Sequence, residues 1–209
     1  MVARVKDGAF LEKALEDTRL NTLCLGPGLG LGDEKQGLIK AALKSGRATV
    51  LDADALTLIS QSADLRAAVH PGCILTPHDG EFARLCPDLS AQLDPSGLAN
   101  RAAAVAKAAA GLGCTVLLKG AQTLIASPDG VCHLHDATGR RAAPWLATAG
   151  SGDVLAGLIT GLLARGFSQI NAATTATYLH VEAARSFGPG LIAEDLPEQL
   201  PSVFRNLDP

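Results

Sequence analysis

Short, almost continuously apolar runs alternate along this chain with longer helical patterns, and the alternation limits the folds that it can adopt. Four apolar runs, each leading into Gly, Asp or Pro, cover residues 22–25, 48–51, 73–76 and 115–119. Helix formers without internal proline fill residues 33–44, 53–60, 80–85 and 97–112. Strands of a parallel sheet show such runs because helices bury both of their faces. We predict an α/β fold of three layers, α/β/α, with a mostly parallel sheet and helices on both faces.

The second half of the chain adds a hairpin and two long helices to this pattern. Residues 123–126 and 131–134 flank Ser-Pro-Asp-Gly, a four-residue turn signal, so we predict a hairpin at the edge of the sheet. Apolar residues recur at helical spacing from Val154 to Leu163, and Gly166 supplies a stop. A second long helix follows, and residues 88–96 are predicted to form a loop.

Length and composition narrow the class of protein. The 209 residues are 47% hydrophobic, so a sizeable core is available and we predict a single domain over residues 1–209. The chain has 18 basic and 21 acidic residues and a formal net charge of −3, so no nucleic acid partner is expected. The apolar run 154–164 is too short to span a bilayer, and no membrane association is expected. Five cysteines without metal-ligand spacing, and the lack of a signal peptide, predict reduced core thiols in a cytoplasmic protein.

Polar residues collect where the four predicted strands end. They form the segments 26–30 (Gly-Pro-Gly-Leu-Gly), 52–54 (Asp-Ala-Asp), 76–81 (Thr-Pro-His-Asp-Gly-Glu) and 119–120 (Lys-Gly). In an open parallel sheet, ligands bind beyond the carboxyl ends of the strands. The four segments therefore predict one site, in which the glycine-rich first segment allows a close approach of backbone and ligand. That segment lacks the third glycine of a dinucleotide-binding fingerprint.

Each of these polar residues also has a structural interpretation. Asp52 and Asp54 are good helix caps ahead of Ala55. Glu81 could merely stabilise the N-terminus of a helix through the helix dipole, although a metal–phosphate site would need a carboxylate at this position. Lys119 ends an apolar strand, where a phosphate or a salt bridge would compensate its charge.

The segment 147–157, Ala-Thr-Ala-Gly-Ser-Gly-Asp-Val-Leu-Ala-Gly, joins a loop of small residues to a helix. Unpaired N–H groups and the dipole of the first helical turn attract an anion, and Gly150 and Gly152 let it approach the backbone. Asp153 would then lie beside the anion, where it could take a proton from a hydroxyl that is being phosphorylated. Helix capping by an acid is the alternative. The junction favours a phosphoryl-transfer enzyme.

The ordered set of these segments resembles a known family, the ADP- or ATP-dependent NAD(P)H-hydrate dehydratases of the ribokinase-like superfamily. The resemblance runs from about Leu23 to the end of the chain, and the segments that carry it are residues 26–30, 51–56, 76–82, 118–123, 146–157 and 193–196. The Gly-Glu pair at Gly80 and Glu81 is similar to the dehydratase pattern, whereas hydroxymethylpyrimidine-type kinases have Asn where this chain has His78.

The resemblance implies a reaction and a role for each residue. ADP or ATP, as co-substrate, would phosphorylate the hydroxyl of the S epimer of hydrated NADH or NADPH, and elimination of phosphate would restore NADH or NADPH. Asp153 would be the catalytic base. The nucleotide would be bound by Lys119, Gly120, Ala121, Gln122, Thr123, Gly150, Ser151 and Gly152. Gly28, His78 and Asp153 would contact the hydrate, and Glu81 would hold Mg²⁺ through water.

The chain also departs from the family pattern. A further glycine-rich strand and helix usually precede what is Leu23 here, so we expect part of the substrate pocket to be missing and a homo-oligomer to form at the uncovered sheet edge. Ala149 and Val181 replace glycines, and Ala149 would cost on the order of 1 kcal/mol if its φ were positive. Two alternatives stay open, a vitamin-precursor kinase of the same fold and a truncated, noncatalytic nucleotide-binding remnant.

Overall fold

A six-stranded sheet forms the centre of the computed structural model, which describes residues 4–93 and 97–207. Its strands, in spatial order, are β1 (Thr22–Leu25), β2 (Ala48–Leu51), β3 (Cys73–Leu75), β4 (Thr115–Leu118), β5 (Gln122–Ala126) and β6 (Cys132–Asp136). β1 to β4 are parallel, and β5 and β6 run antiparallel to their neighbours. The predicted parallel sheet with an edge hairpin is confirmed.

One helix precedes β1, and the others connect the parallel strands or follow the hairpin. In the described residues they are α1 (Gly8–Ala14), α2 (Asp33–Lys44), α3 (Ala53–Gln61), α4 (Ala63–Ala67), α5 (Asp79–Leu85), α6 (Pro87–Ser90), α7 (Leu98–Leu112), α8 (Ser151–Ala164), α9 (Gln169–Phe187) and α10 (Asp195–Leu207). Two short 3₁₀ segments, Gly139–Arg141 and Pro144–Ala147, lie between β6 and α8. The four predicted helices of the first half are confirmed to within one residue at each end.

The inner strands of the sheet, β2 to β5, are buried on both faces, as their apolar sequences require. Successive side chains of a strand point to opposite faces. Leu51 and Leu75 therefore pack with α3, α5 and α7, whereas Val50 and Ile74 pack with α8 and α9. All four side chains are 0% exposed. Because helices pack on both faces of the sheet, the three-layer prediction is confirmed. Burial of both faces also explains why these strands contain almost no polar residue.

Two predictions fail in detail. Residues 88–96 were expected to form a loop, but Pro87–Ser90 forms α6, because proline at the first helical position and Asp88 in the first turn favour a helix start. Residues 94–96 lie outside the described residues. The cysteines are free and three are buried, but Cys24 is exposed and Cys132 is only partly buried, since they lie on β1 and β6, the two edge strands of the sheet. Across the described ranges, no helix combines the length and hydropathy that crossing a bilayer requires.

Candidate active site

The ends of β1 and β2 touch through their backbones. Gly26 has φ of 132°, and a Cβ there would lie 1.7 Å from the carbonyl oxygen of Asp52. Only glycine is compatible with both constraints. Ala53, the next residue after Asp52, has φ of 45°, a left-handed conformation that costs about 1–2 kcal/mol for a residue with a Cβ. The backbone around Asp52 is thus held in a defined and strained position.

The two aspartates at the end of β2 have different partners. Asp54 accepts a hydrogen bond from the Gly30 N–H at 2.8 Å, so its side chain anchors the glycine-rich loop. Asp52 occupies the N-cap position of α3, yet its side chain makes no capping hydrogen bond. Its carboxylate accepts a hydrogen bond from the Lys119 ammonium instead. The capping interpretation is therefore wrong for the Asp52 side chain.

His78 and Glu81 form a capping box at the start of α5. The Nδ1 atom of His78 accepts a hydrogen bond from the Gly80 N–H at 2.9 Å, and Glu81 Oε2 accepts one from the His78 N–H at 2.8 Å. Because Nδ1 is an acceptor, the neutral ring carries its proton on Nε2. Glu81 thus lies in the first helical turn, as its structural interpretation requires, and its side chain is only 7% exposed.

Lys119 connects these strand ends. Its Nζ lies 2.7 Å from Asp52 Oδ1 and 3.6 Å from Glu81 Oε2. The side chain of Asp52 is 1% exposed and that of Lys119 is 20% exposed. The salt-bridge interpretation of Lys119 is confirmed. A nucleotide contact by the same ammonium stays a prediction, and it is sterically open because Lys119 also lines the cavity described below.

The first turn of α8 brings the predicted anion site and Asp153 together. Gly150 is the N-cap residue, with φ of 81°. Ser151 Oγ donates to the Leu146 carbonyl at 2.7 Å, which joins the turn to the preceding segment. Burial raises the pKa of the Asp153 carboxyl and the charge of Asp52 raises it further, whereas Lys119 opposes the shift. In the described residues the only non-glycine residue with positive φ is Ala53, so Ala149 does not carry the expected strain.

A cavity of about 480 Å³ opens beside this turn. Its polar and charged lining residues are Lys119, Thr123, Thr138, Ser151, Thr177 and His180. Its remaining lining residues are glycine or apolar: Gly120, Ala121, Ala137, Gly139, Ala142, Ala143, Pro144, Leu146, Ala147, Gly152, Leu155 and Val181. The wall is therefore mostly apolar, and Lys119 supplies its cation.

The structure brings together six of the eight predicted nucleotide residues. Lys119, Gly120, Ala121, Thr123, Ser151 and Gly152 line the cavity. Gly150 and Gln122 do not, since Gln122 is paired with Asp136 of β6 and its amide nitrogen lies 3.5 Å from that carboxylate. Gly28, His78, Glu81 and Asp153 also lie outside the lining. Gly28, His78 and Glu81 lie beyond the ends of β1 and β3, and Asp153 lies in the first turn of α8. Lys119 connects the strand ends with the cavity, because it contacts Glu81 and also lines the cavity.

Sequence reasoning did not identify the outer wall of the cavity or His180. The wall segment 137–145, Ala-Thr-Gly-Arg-Arg-Ala-Ala-Pro-Trp, lies outside every motif identified in the sequence. His180 lies within the apolar face of α9, and burial lowers its pKa to about 4, so the ring is neutral at physiological pH. The Nε2 atom of His180 lies 2.9 Å from the Ser151 carbonyl oxygen, and it donates there because a carbonyl only accepts.

Comparison with known proteins supports the assignment that the motifs suggested. The sequence profile of the NAD(P)H-hydrate dehydratase family matches residues 2–202. An ADP-dependent (S)-NAD(P)H-hydrate dehydratase of Neisseria meningitidis is 42% identical over 170 residues, which are 79% of this chain and 54% of the relative. A bifunctional NAD(P)H-hydrate repair enzyme Nnr of Moorella thermoacetica is 39% identical over 205 residues, 95% of this chain and 37% of the relative. The chain thus spans less than two thirds of the length of these relatives.

Solved structures agree with this result. An ADP/ATP-dependent NAD(P)H-hydrate dehydratase of Bacillus subtilis, co-crystallized with ATP/Mg²⁺, has a TM-score of 0.71 and 31% identity over 90% of this chain and 65% of that protein. A ribokinase-like superfamily protein of Enterococcus faecalis has a TM-score of 0.75 and 28% identity, and the match covers 95% of this chain and 66% of that protein. The fold is ribokinase-like, and the chain belongs to the NAD(P)H-hydrate dehydratase family.

Proposed function

We propose that this chain dehydrates the S epimer of hydrated NADH or NADPH with ADP or ATP as phosphoryl donor. The observation that carries the proposal is the junction between the cavity and the first turn of α8. There Lys119 and Gly152 line the cavity, and Asp153 lies close enough to Lys119 for that charge to shift its pKa. The Neisseria relative is named an ADP-dependent (S)-NAD(P)H-hydrate dehydratase, and the Bacillus relative is named an ADP/ATP-dependent NAD(P)H-hydrate dehydratase.

The chemistry requires a base next to a bound phosphate. The hydrate carries a hydroxyl on its reduced ring, and hydroxide is a poor leaving group at neutral pH. Asp153 takes the hydroxyl proton while the oxygen attacks the terminal phosphorus, and the bond from phosphorus to the departing AMP or ADP breaks. The ring nitrogen's electron pair then expels phosphate. Loss of a proton from the neighbouring ring carbon restores the dihydropyridine.

The cavity suits the donor nucleotide. Apolar walls such as Pro144, Leu146 and Val181 match a purine ring, and a cation with backbone N–H groups at a helix start matches phosphates. We assign nucleotide binding to the six residues of the predicted set that line the cavity. Gln122 and Gly150 would contribute to the site through their backbone conformation. Gly150 does so by reversing the chain into α8 at φ of 81°.

The hydrate would approach from the strand-end side. Gly28 has φ of 62° and open space where a side chain would be, and the His78 side chain is 56% exposed at the same edge of the sheet. Both residues follow parallel strands, as ligand-binding loops of α/β sheets do. We therefore assign Gly28, His78 and Asp153 to the hydrate.

Magnesium fits this site as an ion that arrives with the phosphates. In residues 4–93 and 97–207, no group of three or more His, Cys, Asp or Glu side chains could hold a metal ion by itself. Mg²⁺ keeps several waters and binds one or two carboxylates besides phosphate oxygens. Glu81, which faces Lys119 from α5, would provide such a carboxylate through water. Bound there, Mg²⁺ would neutralise charge on the transferred phosphoryl group.

We also propose that the chain acts as one domain, as a homo-oligomer and in the cytoplasm. The six strands share one sheet. β1 pairs with β2 alone among the described strands, and an open edge favours pairing with another chain. Free cysteines fit a reducing compartment. Native mass spectrometry tests the assembly, and a monomer at working concentration would rule the homo-oligomer out.

One incubation tests the proposed reaction. The chain is mixed with hydrated NADH, Mg²⁺ and either ADP or ATP, and the absorbance of reduced nicotinamide is followed together with phosphate release. We expect absorbance and phosphate to rise in equal amounts. Nucleotide consumption with another hydroxyl compound, and none with the hydrate, would instead identify a small-molecule kinase. No reaction with either class would leave a noncatalytic nucleotide-binding protein.

A further inference from the structure

The ammonium of Lys119 is held at the junction of three elements. The residue Lys119 directly follows β4. Its Nζ donates a hydrogen bond to Asp52 at the start of α3 and faces Glu81 on α5. A Cβ on Gly152 would lie 3.4 Å from the same Nζ, so the ammonium also lies against the first turn of α8. A flexible lysine side chain is thereby fixed at one end of the cavity.

Asp52 is the stronger of the two carboxylate partners. Its Oδ1 lies 2.7 Å from Nζ, against 3.6 Å for Glu81 Oε2. The Asp52 side chain is 1% exposed, so its position depends on its backbone. That backbone is constrained twice, by contact with Gly26 and by the left-handed φ of Ala53. Strain of this kind persists where the surrounding structure holds it, typically at functional sites.

We propose that Asp52 is a positioning residue, whose carboxylate holds the Lys119 ammonium at the junction of the cavity and α8 to receive a nucleotide phosphate. This inference rests on the proposed function, because it assumes that the cavity binds a nucleotide. Asp52 acts through Lys119 and does not touch the phosphate. Without Asp52, the remaining carboxylate within ion-pair distance of Lys119 among the described residues is Glu81.

The alternative is that the Asp52 charge simply acts on the phosphate, and it predicts the opposite change in nucleotide affinity. A carboxylate near a phosphate repels it, so removing that charge should strengthen nucleotide binding. Holding the ammonium in place works the other way, because a lysine that is already ordered loses less conformational freedom when the ligand binds. Affinity measurements on matched variants separate the two effects.

The test compares Asp52→Glu, Asp52→Asn and Asp54→Asn with the parent chain. Asp52→Glu keeps the charge but shifts the carboxylate by one methylene, and Asp52→Asn keeps the shape but removes the charge. Asp54→Asn removes a charge two residues away, on a side chain that contacts Gly30 and not Lys119. ADP affinity is measured by titration calorimetry with Mg²⁺, well below each melting temperature.

We expect both Asp52 variants to bind ADP roughly five- to tenfold more weakly, the usual effect of releasing one ordered side chain. Asp54→Asn should bind ADP as the parent does or slightly more tightly. The KM for ADP should rise in the same proportion as the dissociation constant. A loss of stability alone would lower the melting temperature and leave ADP affinity unchanged.

Parental affinity in Asp52→Glu, or tighter binding in Asp52→Asn, would overturn the proposal. If the larger glutamate prevents folding, Asp52→Asn decides alone, with weaker binding as support and equal or tighter binding as contradiction. ADP binding needs no hydrate, so a parent chain that binds ADP without dehydrating anything would refute the proposed reaction and not the role of Asp52. A parent chain that binds neither ADP nor ATP would contradict both.

Discussion

The imidazole Nε2 of His180 lies 2.9 Å from the carbonyl oxygen of Ser151 and joins α9 to the first turn of α8. His180 is 6% exposed and also lines the cavity. Ser151 begins the turn whose N–H groups we assign to the phosphates. One hydrogen bond between side chain and backbone therefore fixes the proposed phosphate site relative to the cavity wall.

Removing that bond should loosen α8. His180→Leu fills most of the space but cannot donate, so the Ser151 carbonyl loses this partner and stability should fall by about 1–3 kcal/mol. His180→Gln places an N–H at a similar reach and should recover part of the loss. Urea denaturation of both variants measures the difference. Equal stability of the two would mean that the hydrogen bond contributes nothing and only packing matters.

The stability of the protein should depend on pH through the same histidine. Burial lowers the pKa of His180 to about 4 from its usual 6.5, so the unfolded chain binds a proton more readily than the folded one. The contribution of neutral His180 to the free energy of unfolding is complete above about pH 6.5. It falls as the pH approaches about 4, by a total of roughly 3 kcal/mol. Denaturation curves at several pH values should show that loss in the parent chain and a smaller one in His180→Gln.

Asp153→Asn should separate binding from chemistry. The amide has nearly the same shape and cannot accept a proton from the hydroxyl, so turnover should fall by about a hundredfold or more while ADP affinity stays nearly unchanged. Steady-state rates and calorimetry on the same preparation measure both quantities. Turnover within a few-fold of the parent would remove Asp153 from the mechanism.

The pH dependence of turnover should report the environment of Asp153. Burial and the charge of Asp52 raise the pKa of this carboxyl, so the parent should lose activity at a higher pH than an ordinary aspartate would dictate. In Asp52→Asn the repulsion from Asp52 is gone, so the pKa of Asp153 should fall. The acid limb of the pH profile of turnover should then move to lower pH. An acid limb at the same pH in both proteins would show that the two carboxyls are not coupled.

Lys119 should matter for both folding and nucleotide binding. Lys119→Met leaves the buried carboxylate of Asp52 without its cation and should cost about 3–5 kcal/mol of stability. The double variant Lys119→Met with Asp52→Asn removes the unpaired charge and should regain most of that stability. ADP affinity should stay low in both. Recovery of ADP binding in the double variant would show that Lys119 serves folding alone.

Local pattern in the sequence determined the elements and several of the site's components. Continuous apolar runs predict buried parallel strands, and Asp33–Lys44 begins and ends at the predicted residues, because periodicity and capping preferences act over a few neighbouring positions. The same local rules predict Gly150 ahead of α8 and Asp153 in its first turn. The assignments of Gly28 and His78 to the substrate, and of Glu81 to magnesium, stay predictions.

Only the tertiary structure decided which of these residues meet. Asp52 and Lys119 are 67 positions apart, and His180 and Ser151 are 29 apart. Their contacts depend on the order of strands in the sheet and on the packing of α9 against α8. For the same reason Asp54 binds Gly30 instead of capping α3, and Gln122 pairs with Asp136 instead of lining the cavity. A sequence specifies the partners available to a polar group, whereas burial and distance, which arise only when distant segments pack, select the one that is used.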